Sequence, residues 1–209
     1  MALIKDIQGR KENETPSAYE RLFGNRQLGM LLSKVHATAI REGNELERIL
    51  ASRLKKTEGI SIDQINKEKR IFKNVKRGHT IKIDCVIGKN NKIHLIEIKD
   101  GDTFDTKKVA GEVESLIMVK DFLKKKEPNK EIILHFCSFN ATSHEQIERG
   151  AKGLLGECKA MTGRELCELL GLDFNEIVEQ RKEHQKENLE YFVSELKKIS
   201  EIIGKFKYY

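Results

Sequence analysis

Residues 80–99 read TIKIDCVIGKNNKIHLIEIK. Two runs rich in Ile and Val flank the polar turn Gly88-Lys89-Asn90-Asn91, with apolar and polar residues alternating on both sides, the pattern of a β-hairpin. Successive strand residues point to opposite faces, so Glu97 and Lys99 share a face and Ile98 takes the other. A fold about residues 89–90 carries Asp84 back alongside Glu97. Two carboxylates and an ammonium then converge at one end of a half-buried sheet.

Buried charge is costly unless it is paired or holds a metal. Two converging carboxylates suit a hard, oxygen-loving cation, for which Mg²⁺ is the usual occupant. A lysine beside such an ion can steady an attacking water or a scissile phosphate. The same three residues can equally form an ordinary cross-strand ion pair at a sheet edge. The spacing alone leaves both readings open.

Outward from the hairpin, residues 69–76 supply a preceding strand. Before them lies ELERILASRLKK, with Leu46, Ile49, Leu50 and Leu54 as its buried helical stripe. Gly43-Asn44 is expected to interrupt the chain there, with Asn44 as cap and Glu47 at the capping-box position. Thr57-Glu58-Gly59 reads as a turn and Ser61 as the start of a short polar helix. Residues 1–14 are polar and expected to be loosely ordered. Thr15-Pro16 then opens a helical arm reaching about Arg41, with a break near Gly24-Asn25.

Beyond the hairpin, Thr106 or Asp105 caps a helix to about Lys126, with apolar positions Val109, Val113, Leu116, Ile117, Val119 and Leu123. Lys107 and Lys108 stand in its first turn, against the helix dipole, a placement that suggests an anionic ligand. EIILHFCSF, after the turn at Glu127-Pro128, is an almost continuous apolar run, as in a strand buried on both faces. A strand–helix–strand crossover implies parallel pairing. From Ser143 the chain is helical: a short helix, a capping box at Thr162–Glu165 closed by Gly171, and a long charged helix capped by Asp173 that reaches about Gly204. A long helix so polar lies on a surface or packs against a partner subunit, the second being favoured, and the FKYY tail either docks there or frays.

Composition narrows the class. Of 209 residues 38% are hydrophobic and 34% charged, with a net charge of +6, which suits a polyanion-binding protein. No apolar run approaches the length of a membrane span, and the N-terminus lacks a signal peptide's apolar core, so a cytoplasmic location is expected. Cys85, Cys137, Cys158 and Cys167 form no C-x-x-C pair and read as reduced core residues. The six histidines show no zinc spacing, although His135 and His144 both fall near the sheet.

Asp84, the hairpin and then Glu97-Ile98-Lys99, in the order helix, three strands, helix, strand, resembles the PD-(D/E)xK nuclease superfamily. The resemblance covers roughly residues 43–139. Ile83 stands where the name's proline would be. The resemblance implies an α/β, restriction-endonuclease-like αβββαβ core with a mixed central sheet and N- and C-terminal helical extensions. It makes residues 1–209 one nuclease domain, divided into an arm (1–42), a catalytic core (43–139) and a C-terminal helical region (140–209).

It further implies Asp84, Glu97 and the Ile98 carbonyl as ligands of one or two Mg²⁺ ions, and Lys99 as the catalytic lysine. Gly43, Glu47 and Leu50 match a G-x-x-x-E-x-x-L setting that brings Glu47 toward the metal, with Glu45 as its substitute. Lys107 and Lys108, with Asp102 and Thr103, become candidate DNA contacts; Asp102 and Asp105 are also readable as further acids near the metal or as turn and cap residues, the latter being favoured. A compact chain of this kind looks most like a type II restriction endonuclease. Such an enzyme is a homodimer that cuts a short palindrome in double-stranded DNA, leaves 5′-phosphates and needs no small-molecule cofactor. A structure-selective nuclease, a non-catalytic DNA-binding module and an unrelated α/β protein are the alternatives. The scarcity of aromatics disfavours RNA.

Overall fold

The computed structural model describes residues 3–8, 15–54, 71–76, 79–89, 91–101, 103–199 and 204, with the side chains of 42–44, 54 and 71–80 excepted. The chain forms two compact units, Met1–Leu46 with Asn175–Tyr209, and Glu47–Phe174. The expected turn at residues 57–59, the short helix from Ser61, Asp102 and the terminal FKYY lie outside the described residues.

The second unit is built on strands. β1 (Ile71–Lys76) and β2 (His79–Lys82) pair antiparallel as a two-stranded ribbon. β3 (Cys85–Lys89) and β4 (Lys92–Lys99) form the predicted hairpin, with Lys89 opposite Lys92 and Cys85 opposite Ile96. Asn91 takes the left-handed conformation, φ 61°, that a tight hairpin turn demands and that Asn tolerates. α3 (Thr106–Lys126) then crosses to β5 (Glu131–Ser138), which runs parallel to β4 from Lys92↔Glu131 to Lys99↔Ser138. After α4 (His144–Ala151), β6 (Lys159–Thr162) adds parallel to β5 and completes a mixed sheet of order β3-β4-β5-β6. The molecule thus has the expected α/β, restriction-endonuclease-like architecture with a mixed central sheet.

Alternation along these strands builds the core. Val86, Ile93, Leu95, Leu134 and Phe136 gather on one face with Val109, Val113, Leu116, Val119 and Leu123 of α3, and with Ile147 and Ala151 of α4. Each fully buried Leu or Ile there contributes about 2 kcal/mol. Asp105 caps α3, its side chain accepting from the Lys107 N–H. α5 (Gly163–Leu170) opens on the predicted capping box, in which Thr162 and Glu165 satisfy each other's backbone amides, and closes on Gly171 at φ 66°. Its first residue must be glycine. A β-carbon on Gly163 would come within 2.2 Å of the Phe139 carbonyl oxygen. All four cysteines are buried, and none of them forms a disulfide among the described residues.

In the first unit, α1 (Ala18–Phe23) ends at the left-handed Gly24, φ 63°, and α2 (Arg26–Leu54) follows, so the break expected near Gly24-Asn25 is present. α6 (Phe174–Lys197) is the long charged helix. The 3-10 turn Ile4–Asp6 buries Ile4, whose N–H donates to Asn188 at 2.7 Å, while Lys5 pairs with Glu187 at 2.7 Å.

Several expectations need correction. Residues 3–8 are tied down rather than loose. The cap of α1 is Ser17, which accepts from the Glu20 N–H, rather than Thr15. α2 runs unbroken through residues 43 and 44, because one mid-helix glycine costs only about 1 kcal/mol and buried Leu46, Ile49 and Leu50 on the same helix outweigh it. The strand expected from Thr80 is broken at Ile83-Asp84, so its two halves join different sheets. β6 was not anticipated.

Candidate active site

The site grows from the end of β4. Glu97 and Lys99 share the face that carries Ile93 and Leu95, the face covered by α3. The hairpin register sets Asp84, the residue before β3, beside this end: its Oδ2 accepts from the Ile98 N–H at 3.0 Å. Since Asp84 stands in the break between two sheets, its carboxylate meets a strand amide directly. The predicted convergence of Asp84, Glu97 and Lys99 is therefore observed.

A fourth residue joins them. The Lys99 ammonium donates to Glu97 Oε1 at 2.8 Å and to Glu112 Oε1 at 2.6 Å, and Glu112 comes from the second turn of α3. Glu97 is only 8% exposed. Burial first, and the Asp84 charge next, push its carboxyl up to about 8, against the opposing pull of Lys99. For Lys99, burial works against the charge but is outweighed by Glu97 and Glu112, so its pKa is raised. The far oxygen of Glu112, Oε2, is buried with no hydrogen-bond partner among the described residues.

Both features fit a cation. Glu97 is short of positive charge despite its lysine, and an acid oxygen close by lacks a partner. Among the described residues no three His, Cys, Asp or Glu side chains converge as a ready-made metal cage. A donor set of two carboxylates and a carbonyl suits a hard ion that keeps several waters, as Mg²⁺ does.

The other sequence candidates are placed as follows. Glu47 is half-buried in the C-terminal third of α2, and the unbroken helix removes its capping role. Thr103, Lys107 and Lys108 are exposed at the start of α3. The Asp105 carboxylate already accepts the Lys107 N–H at 3.0 Å, so this helix end carries its own anion. Glu112 went unread because an acid between Val109 and Val113 looks like a solvated position. The available signal was its place beside the buried stripe.

The opposite face of the sheet carries a different polar pair. His94 Nδ1 and His135 Nε2 lie 3.0 Å apart on β4 and β5, with ring planes only 15° from parallel. Burial, then His94, pushes His135 down to about 4, and its Nδ1 is buried with no hydrogen-bond partner among the described residues. His144 is exposed and pairs with Glu165.

Measured against known proteins along its length, the chain belongs to the type II restriction enzymes. It is 33% identical over 222 aligned positions to the type II restriction enzyme HhaII of Haemophilus parahaemolyticus, an alignment covering 97% of this chain and 96% of that relative. No family model and no solved structure matches the chain. No helix among the described residues is long and apolar enough to cross a membrane.

Proposed function

We propose that this chain is a Mg²⁺-dependent endonuclease that hydrolyses phosphodiester bonds of double-stranded DNA at a short palindromic sequence. The observation that carries the reading is the convergence of Asp84, Glu97 and Lys99 at the end of β4, in a chain of restriction-enzyme kinship.

Asp84, Glu97 and the Ile98 carbonyl would hold the ion. Bound there, it supplies Lewis acidity toward the phosphate and lowers the pKa of a coordinated water. Lys99 acts as a cation. With two carboxylates holding its ammonium charged, it orients the attacking water and the phosphate by charge-assisted hydrogen bonds rather than by taking a proton. Attack at phosphorus with departure of the 3′-oxygen leaves a 5′-phosphate and a 3′-hydroxyl. Glu47 is the accessory acid. Lys107 and Lys108 contact the DNA phosphates through side chains, since Asp105 already serves the helix end, and Asp102 and Thr103 are further DNA contacts.

A palindrome cut on both strands calls for one site per strand, hence a homodimer. Leu189 and Val193, one turn apart on α6 and 64% and 38% exposed, offer apolar surface for it. The enzyme works in the cytoplasm, beside its substrate.

Plasmid and phage DNA incubated with the protein in Mg²⁺, next to EDTA and Lys99→Ala controls, test this on one gel. Discrete bands that need both Mg²⁺ and Lys99 are expected. A smear or nicking alone would favour a structure-selective nuclease, and intact DNA in every lane would sink the reading.

A further inference from the structure

We infer that Glu112 is a positioning residue that fixes the Lys99 ammonium in the active site. The inference rests on the nuclease reading above and adds a residue to it. Lys99 ends β4, and a lysine stem there could swing its charge out to water. Glu97, two residues back on the same strand, is one tether. Glu112 is the other, and at 2.6 Å its contact is the shorter of the two.

The two tethers have different duties. Glu97 sits against Asp84 and is the acid that would be committed to a cation. Glu112 stands on another element, α3, whose buried stripe at Val109, Val113 and Leu116 anchors it to the sheet. When Glu97 turns its oxygens to an ion, Glu112 remains as the counter-charge that holds Lys99 in place. An ammonium has three hydrogens. With one held by Glu112, the others are left for water or phosphate.

The placement of Glu112 supports this duty. A carboxylate on the core-facing flank of a helix is costly unless paired, and one of its oxygens has no hydrogen-bond partner among the described residues. A residue serving stability alone would be better replaced by an apolar one at that position.

The test compares full-length wild type with Glu112→Ala, Glu112→Gln and Lys99→Ala. Four quantities are read: single-turnover cleavage of an oligonucleotide duplex in Mg²⁺, duplex affinity in Ca²⁺ by fluorescence anisotropy, Mn²⁺ affinity by calorimetry, and the thermal melt. Glu112→Ala is expected to slow cleavage about 100-fold, the scale of a misplaced catalytic group. Duplex and Mn²⁺ affinities should stay within about threefold of wild type. Glu112→Gln, which keeps the acceptor oxygen and loses only the charge, should recover about tenfold of that loss.

Wild-type cleavage by Glu112→Ala alongside a dead Lys99→Ala overturns the inference and leaves the nuclease reading intact. Wild-type cleavage by Lys99→Ala removes the lysine's role and overturns the inference with it, whereas a wild type that cleaves nothing overturns the nuclease reading itself. A Mn²⁺ affinity that falls in step with cleavage makes Glu112 a metal ligand and overturns the positioning role. Equal losses of cleavage and melting temperature in the Ala and Gln variants reduce Glu112 to a structural residue and overturn it as well.

Discussion

The two faces of the four-stranded sheet carry polar groups at almost the same depth and treat them differently. On the α3 face, Glu97 and Glu112 hold the Lys99 ammonium, the Asp84 charge presses on Glu97, and one buried Glu112 oxygen has no hydrogen-bond partner among the described residues. On the other face, His94 and His135 share one hydrogen bond and burial lowers both pKa values, although His135 Nδ1 likewise has no partner among the described residues. A pair that lowers its pKa values by burial can sit in a core at small cost. An acid cluster with surplus negative charge cannot, and its persistence marks a place built for a ligand rather than for stability. The strands thus separate a reactive face from a structural one.

The largest test of this contrast is to neutralise an acid. Asp84→Asn should reduce cleavage about 1000-fold, the scale of losing a group that stabilises developing charge. The same change removes the charge that crowds Glu97, so the metal-free melt should rise by about 1 kcal/mol, roughly 2–4 °C for a chain of this size. Single-turnover kinetics and a thermal scan without divalent ions measure both. A fall in both quantities would mean that the acid face is structural after all.

The histidine face should show the reverse pattern. His94→Leu leaves His135 buried with no partner and should cost about 2 kcal/mol in denaturant unfolding. His135→Leu should cost less, since His94 is only half-buried and can turn to water. The double variant should recover part of the loss, because no polar group is then stranded. Cleavage should stay within about twofold throughout. A large cleavage defect in any of the three would erase the division between the faces.

The histidine face should also respond to pH. The folded-state value of His135, about 4, lies below its ordinary 6.5, so the unfolded chain binds the extra proton first. The histidine pair's contribution is complete above pH 6.5 and declines as pH falls from there toward 4, by about 2 kcal/mol given its partial solvation. Lys89, Lys92 and Lys159 around the pair act in the same direction, while Glu131 and Glu165 oppose them. Unfolding curves across this window should flatten in the double leucine variant. An unchanged slope would remove the pair from the acid sensitivity.

What was legible in the chain follows from how local each signal is. The β3–β4 hairpin, α3 and β5 each announce themselves through alternation, a 3.6-residue stripe or an apolar run, and the site acids ride on them. The break at Ile83-Asp84 was hidden because the alternation of TIKID continues across it. β6 is four residues, KAMT, led by a charge, and only its pairing with Phe136 and Cys137 makes it a strand. Gly43 was overread, since its small propensity cost is outweighed by the leucines that follow. Glu112 is a tertiary fact. Its role depends on α3 lying over Lys99, and nothing in the residues around it states that.

The register of the sheet has a consequence for how the site comes together. Asp84 reaches the Ile98 amide across 14 positions of chain, and Lys99 reaches Glu112 across 13. The strand that backs them, β5, pairs with β4 at a separation of 39 throughout, from Lys92↔Glu131 to Lys99↔Ser138. Loop-closure entropy grows with the logarithm of that span, so the contacts that define the chemistry cost less to close than the β4–β5 pairing behind them. The long-range pairing adds no reactive group. It supplies rigidity to a constellation whose members are already neighbours along the chain.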